Sequence, residues 1–154
     1  MTATPFLHCQ FIGAVLVMFS FGVHAETIEQ MLDGFTRCQF NGVYVDMISN
    51  KPIHKYFVER NLKPCMVKES MAYFCIRENY YGLPIYKLMI PAGTFDIHAM
   101  YLDVPLDKAQ KIAKKHLGFT FSKSQLSENG DRPILMANPL DLSKSIFMCN
   151  PRSE

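Results

Sequence analysis

The sequence predicts an α+β domain: an antiparallel sheet of about four to six short strands, with two or three helices packed on it and disulfides bracing the whole. Three observations carry that expectation. Between residues 65 and 104 the chain runs as short segments rich in aromatic and branched residues, separated by turn-forming residues. Two other stretches, TIEQMLDGF and PLDKAQKIAKKHLG, repeat their apolar residues at helical spacing. Four cysteines follow an apolar leader that places the chain under oxidising conditions.

The leader comes first in the chain. From Phe11 to Val23 the residues are almost wholly apolar, but as a helix they would rise only about 20 Å, against the roughly 30 Å of a bilayer core. Val23 and Ala25 offer an aliphatic and a small residue where a signal peptidase reads the chain, and polar Glu26 and Thr27 follow. The pattern predicts a secretory signal over 1–25, cleaved after Ala25, and one globular domain over 26–154. MTATPFLHCQ lacks the Lys or Arg usual at the head of such a signal. All 16 basic and 14 acidic residues lie after Ala25, so the domain keeps the formal charge of +2. That near balance excludes a nucleic-acid partner as the expected one, since such partners select a much more basic face. No second apolar run approaches membrane length, so the mature chain is expected to hold no transmembrane segment and to work in the periplasm or outside the cell.

Along the domain, Thr27 can cap a helix whose Ile28, Met31, Leu32 and Phe35 form one stripe. FNGVYVDMI reads as a strand or a further helical turn. NKPIHKYFVERNLKP offers an Asn50 cap and Pro52 in the first turn of a second, brief helix ending before Pro64. CMV, MAYFCIREN, PIYKLMIPA and TFDIHAMYLDV then read as a meander of strands with turns at KES, YYGLP and PAG. The third helix takes Asp103 as its cap, Pro105 at its start and Gly118 just past its end. Its Leu106, Ala109, Ile112, Ala113 and Leu117 face inward, and Lys108, Lys111, Lys114 and Lys115 face out. FTF begins another strand, Asn129 and Gly130 suit a tight turn, and RPILMANP and SIFMCNP close the chain as strands or extended segments.

Cys9 leaves with the signal, and the remaining four cysteines most simply make two disulfides out of three possible pairings. A hairpin centred near Ser70 would bring Cys65 and Cys75 face to face, leaving Cys38 to join Cys149. Neither CxxC nor HxxxH occurs, so no metal, redox chemistry or other cofactor is expected.

Catalytic patterns are equally scarce. No GxSxG elbow surrounds a serine, no glycine-rich phosphate loop occurs, and His54, His98 and His116 fall on three separate elements. His98, in the alternating FDIHAMYLD, reads as an ordinary strand residue, and His116 suits the C-terminal end of its helix electrostatically. Asp103 and Asp107 bracket a helix start, where negative charge complements exposed amides. The residues left for function are surface ones. Tyr80, Tyr81 and Tyr86 surround a Gly-Leu-Pro turn, and tyrosines on rigid turns anchor interfaces. Lys108, Lys111 and Lys115 offer a face to an acidic partner, and the ten methionines suit either an adaptable core or a repacking contact surface. The reading is a small exported protein that performs no chemistry and binds another protein, by class analogy with inhibitor and immunity proteins. The alternative is a binder of a small ligand or cell-wall fragment, and behind it a small hydrolase using a histidine with an unpaired cysteine.

Overall fold

A computed structural model of the chain describes residues 25–93, 96–118 and 132–150. The expected signal, the FTF strand and the Asn129–Gly130 turn lie outside these residues, apart from Ala25 at the signal's end. Three helices pack on a mostly antiparallel sheet, and both disulfides join the expected cysteines, Cys38 to Cys149 and Cys65 to Cys75. No helix among the described residues is long and apolar enough to cross a membrane.

Helix α1 (Ile28–Met31) opens with the expected cap. Thr27 Oγ1 accepts the Gln30 amide at 3.3 Å, while Gln30 Oε1 accepts the Thr27 amide at 2.8 Å. It stops a turn sooner than its apolar spacing suggests because Gly34 adopts φ +92°, which starts a separate 3-10 turn over Phe35–Arg37. Strands β1 (Val45–Asp46) and β2 (Lys51–Pro52) then form a small hairpin. Here the second helix departs from expectation. The Asp46 carboxylate accepts the amides of Ile48 at 3.0 Å and Ser49 at 2.6 Å, and Asn50 takes φ +53°, so both belong to the hairpin turn. Pro52 lies in β2, and helix α2 (Lys55–Glu59) begins only after His54, whose ring accepts the Tyr56 amide.

The main sheet has seven strands: β3 (Met66–Lys68), β4 (Met71–Phe74), β5 (Glu78–Tyr80), β6 (Leu83–Pro91), β7 (His98–Leu102), β8 (Ile134–Ala137) and β9 (Ser145–Cys149). Their order is β3-β4-β6-β7-β9-β8, with β5 also pairing β6, and every pair is antiparallel. MAYFCIREN, one run in the sequence, makes two strands because residues 75–77 leave the ladder and both pieces pair with the long β6. The β3–β4 turn falls at Glu69 and Ser70, both at positive φ, which brings Cys65 and Cys75 together across the hairpin. Helix α3 (Leu106–Leu117) ends at Gly118, which adopts the left-handed φ of +71° as expected. Its N-terminus is Pro105 with no side-chain cap, and Asp103 instead stands 3.9 Å from Lys144.

All three helices share one face of the sheet. Ile28, Met31, Tyr56, Phe57, Ala109 and Ala113 pack with Phe74, Leu88, Met100 and Phe147 in the main core. The Phe35 ring sits 4.9 Å from Phe147, and the Cys38–Cys149 bridge closes the same end of that core. Fully burying an aromatic side chain stabilises a fold by about 1.5–3 kcal/mol, so this single cluster accounts for the helices' position. The opposite face carries a smaller cluster, Met71, Met89 and Ala99, with Tyr73, Tyr101, Ile146 and Met148 around it. Among the described residues no helix covers it.

Candidate functional site: the open face of the sheet

Strand β6 controls what that open face displays. Its register with β7 runs Ile85 to Leu102 and then Lys87 to Tyr101, an extra residue on the β6 side. Ile85 and Leu88 are both in the main core, so the two residues between them, Tyr86 and Lys87, both project to the other side. Regular alternation would have turned one of them inward. The bulge thereby adds a tyrosine and a lysine to a face that already holds Tyr73 from β4 and Tyr101 from β7.

These four side chains form one cluster. The Tyr73 and Tyr86 rings lie 6.3 Å and 6.2 Å from Tyr101. The Lys87 ammonium stands 4.1 Å from the Tyr101 ring centre, 5.6 Å from Tyr73 and 5.7 Å from Tyr86. Cation–π contacts of this kind are worth about 0.5–2 kcal/mol according to how far they are dried, enough to hold the lysine in place. Lys144, from the loop before β9, lies 4.5 Å from the other partner ring, Tyr86, and is 3.5 Å from Asp141. Burial pulls the Lys87 pKa below its usual value, and the neighbouring Lys144 charge adds to that. Burial also pushes Tyr101 up to about 12, with Tyr73 and Tyr86 contributing, so its hydroxyl stays protonated at neutral pH.

Methionines frame the cluster. Met71, Met89 and Met148 belong to its apolar base, and register places Met66 beside Tyr73 and Met136 beside Ile146. Half of the chain's ten methionines thus lie on this one face. At one end the face runs into a cleft of about 750 Å³, lined by Arg77, Asn79, Pro84, Tyr86, Asp103 and Lys144 among others. Asn138 donates to the Tyr86 hydroxyl at 3.3 Å, and the Ser145 hydroxyl donates to the Val104 carbonyl at 2.9 Å, anchoring the loop that brings Lys144 to the cleft.

The residues singled out in the sequence divide. Tyr86 is part of the cluster. Tyr80 is buried in the main core, with its ring 6.1 Å from Phe35. Tyr81 is exposed on the β5–β6 turn at φ +47°. Lys108, Lys111 and Lys115 are exposed on α3, on the far side of the sheet from Tyr86. The fold therefore brings Tyr86 to Lys87 and Lys144 and leaves the helix lysines apart. Tyr73, Lys87, Tyr101 and Lys144 were not singled out, although the alternation in MAYF and HAMYL already sets Tyr73 and Tyr101 opposite the core positions.

The histidines remain separate. His54 caps α2 and lies 3.4 Å from Glu26, and His116 is exposed in the last turn of α3. His98 is the buried one, in β7 as expected, where its ring stacks on Phe40 at 3.7 Å. A carbonyl only accepts, so His98 Nε2, 2.7 Å from the Val43 oxygen, must carry the proton. In the neutral ring Nδ1 is then left without a hydrogen bond, 3.3 Å from the Asp96 carboxylate. Burial lowers the His98 pKa, outweighing the contrary pull of Val43 and Asp96. Among the described residues no three His, Cys, Asp or Glu side chains gather where a metal could bind, and all four cysteines are bridged.

Comparison with known proteins finds no matching family, no matching curated protein and no matching solved structure.

Proposed function

We propose that this is an exported protein that binds another protein, in the manner of an inhibitor or immunity protein, through the open face of its sheet. The observation that carries the reading is the bulge at Tyr86 and Lys87, which gathers three tyrosines and a lysine on a methionine-framed surface that no described helix covers. Tyrosine gives contact area at low entropic cost and methionine repacks to fit a partner. Two disulfides fit an oxidising compartment, and the apolar run over 11–23 fits an export signal.

A photo-crosslinking residue at position 101, compared with the same residue at 111 on α3, tests the reading in the protein's native host. A discrete protein adduct from position 101 is the expected result. Adducts equally strong from 111, or none from 101, would refute it. A second reading, binding of a small ligand or cell-wall fragment, is favoured by the cleft, whose volume of about 750 Å³ falls in the range of ligand sites. A thermal-shift screen against such fragments, repeated with Arg77→Ala, distinguishes it.

A further inference from the structure

The chemistry of the open face narrows the kind of partner it fits, an inference that rests on the protein-binding reading. We infer that the partner presents an acidic side chain, flanked by apolar ones, and seats its carboxylate on Lys87. The two cations of the face share one ring: the Lys144 ammonium is 4.5 Å from the centre of Tyr86 and the Lys87 ammonium 5.7 Å. Their circumstances differ. Lys144 has carboxylates at 3.5 Å and 3.9 Å, from Asp141 and Asp103. Lys87 has no carboxylate within ion-pair distance among the described residues.

The one carboxylate on a strand paired with β6 is Glu78 of β5, and it accepts the Tyr56 hydroxyl at 2.8 Å. On the open side Tyr73 of β4 and Tyr101 of β7 flank Lys87, and the rest of that face, Met71, Met89, Ala99, Ile146 and Met148, is apolar. A cation repelled by a like charge, held by three rings and ringed by apolar side chains is an unfilled half of an ion pair. A carboxylate placed there gains its Coulomb attraction in a partly dried setting and relieves the repulsion between the lysines. The surrounding Met and Tyr side chains accept apolar neighbours on the same segment. A polyphosphate chain fits less well. It would need several free cations in a row, whereas Lys144 already faces two aspartates and Arg77 lines the cleft at the end of the face.

The test titrates the whole domain at low salt with acetyl-Phe-Glu-Leu-amide and its Gln counterpart, reading the Lys87 and Tyr101 side-chain resonances by NMR. Inorganic phosphate and a thymidine oligonucleotide serve as competing probes. The Glu peptide is expected to shift both residues by about 20 mM, a weak affinity suited to so short a probe. Replacing Glu by Gln in the peptide, or Lys87→Gln in the protein, is expected to weaken binding by about fivefold, the upper range for a partly exposed ion pair. Lys87→Arg keeps the binding, and Lys144→Gln changes it less than Lys87→Gln does. Equal binding of the Glu and Gln peptides, no shift at all, a larger effect at Lys144, or tighter binding of phosphate or oligonucleotide at Lys87 would each overturn the inference. An adduct from position 101 that persists in the Lys87→Gln protein would leave protein binding standing while removing its acidic character, so the two failures are told apart.

Discussion

Replacing the two disulfides one at a time separates what the bridges do. Cys38 and Cys149 stand 111 residues apart with their Cα atoms at 5.3 Å, and Cys65 and Cys75 stand 10 apart at 5.8 Å. If a bridge acts mainly by shortening the unfolded chain's loop, the long one stabilises by about 4.8 kcal/mol and the short one by about 2.7 kcal/mol. Packing widens the gap. Cys38 and Cys149 lie in the main core, so Cys38→Ala with Cys149→Ala also removes buried atoms, whereas Cys65 and Cys75 are exposed. Against a total stability of about 5–15 kcal/mol for a domain of this kind, loss of the long bridge leaves the fold marginal and loss of the short one leaves it intact. The chain has seven tyrosines and no tryptophan, so equilibrium urea unfolding can be followed by tyrosine fluorescence together with far-UV circular dichroism. With a slope of about 2 kcal/mol per molar urea, the variants should differ in midpoint by about 1 M. A Cys65→Ala, Cys75→Ala protein as unstable as the Cys38→Ala, Cys149→Ala one would refute the reasoning.

Two further predictions concern single residues. His98 is held neutral by burial, so between its depressed pKa and the ordinary value of 6.5 the unfolded chain binds more protons than the folded one. Its contribution is therefore whole above pH 6.5 and lost as pH falls below it, at up to about 1.4 kcal/mol per pH unit; Val43, Asp96 and Phe40 are the groups that face the ring. Urea midpoints taken from pH 7.5 to 5 should fall in the native protein and much less in His98→Gln, and equal slopes in the two would count against a buried neutral histidine. Gly34→Ala should destabilise by about 1–3 kcal/mol, because φ there is +92° and an added Cβ would lie 2.6 Å from the Gln39 carbonyl oxygen. An unchanged melting temperature would show that the turn tolerates a side chain.

Local chemistry made much of the fold legible. Thr27 and Gln30 form a reciprocal cap that two side chains suffice to specify, and Gly118 ends α3 because only glycine is at ease in the left-handed conformation there. The Cys65–Cys75 pairing followed from hairpin geometry for the same reason. Asn50 misled because two signals compete at that point. An asparagine ahead of a proline suits a helix cap, but Asp46 four residues earlier binds the next amides in a turn, and the turn takes Asn50 into the left-handed region. The division of MAYFCIREN into two strands depended on β6 being long enough to pair with both pieces, a fact of tertiary structure that no local window contains.

The candidate site was half legible for a related reason. Tyrosine at alternate positions in MAYF and HAMYL places Tyr73 and Tyr101 on the face away from the core, and cross-strand pairing makes them neighbours. Tyr86 and Lys87 require one more step. Strict alternation along PIYKLMI would bury Lys87 on the same side as Ile85, and drying an ammonium on the core side would cost several kcal/mol. Either the strand leaves the core or it gains a residue, and the apolar Leu88 and Ile90 that follow keep it in place. A lysine at an inward position between aliphatic neighbours is thus a signal for a bulge. The same displacement that spares the core a charge puts that charge among three aromatic rings on the open face.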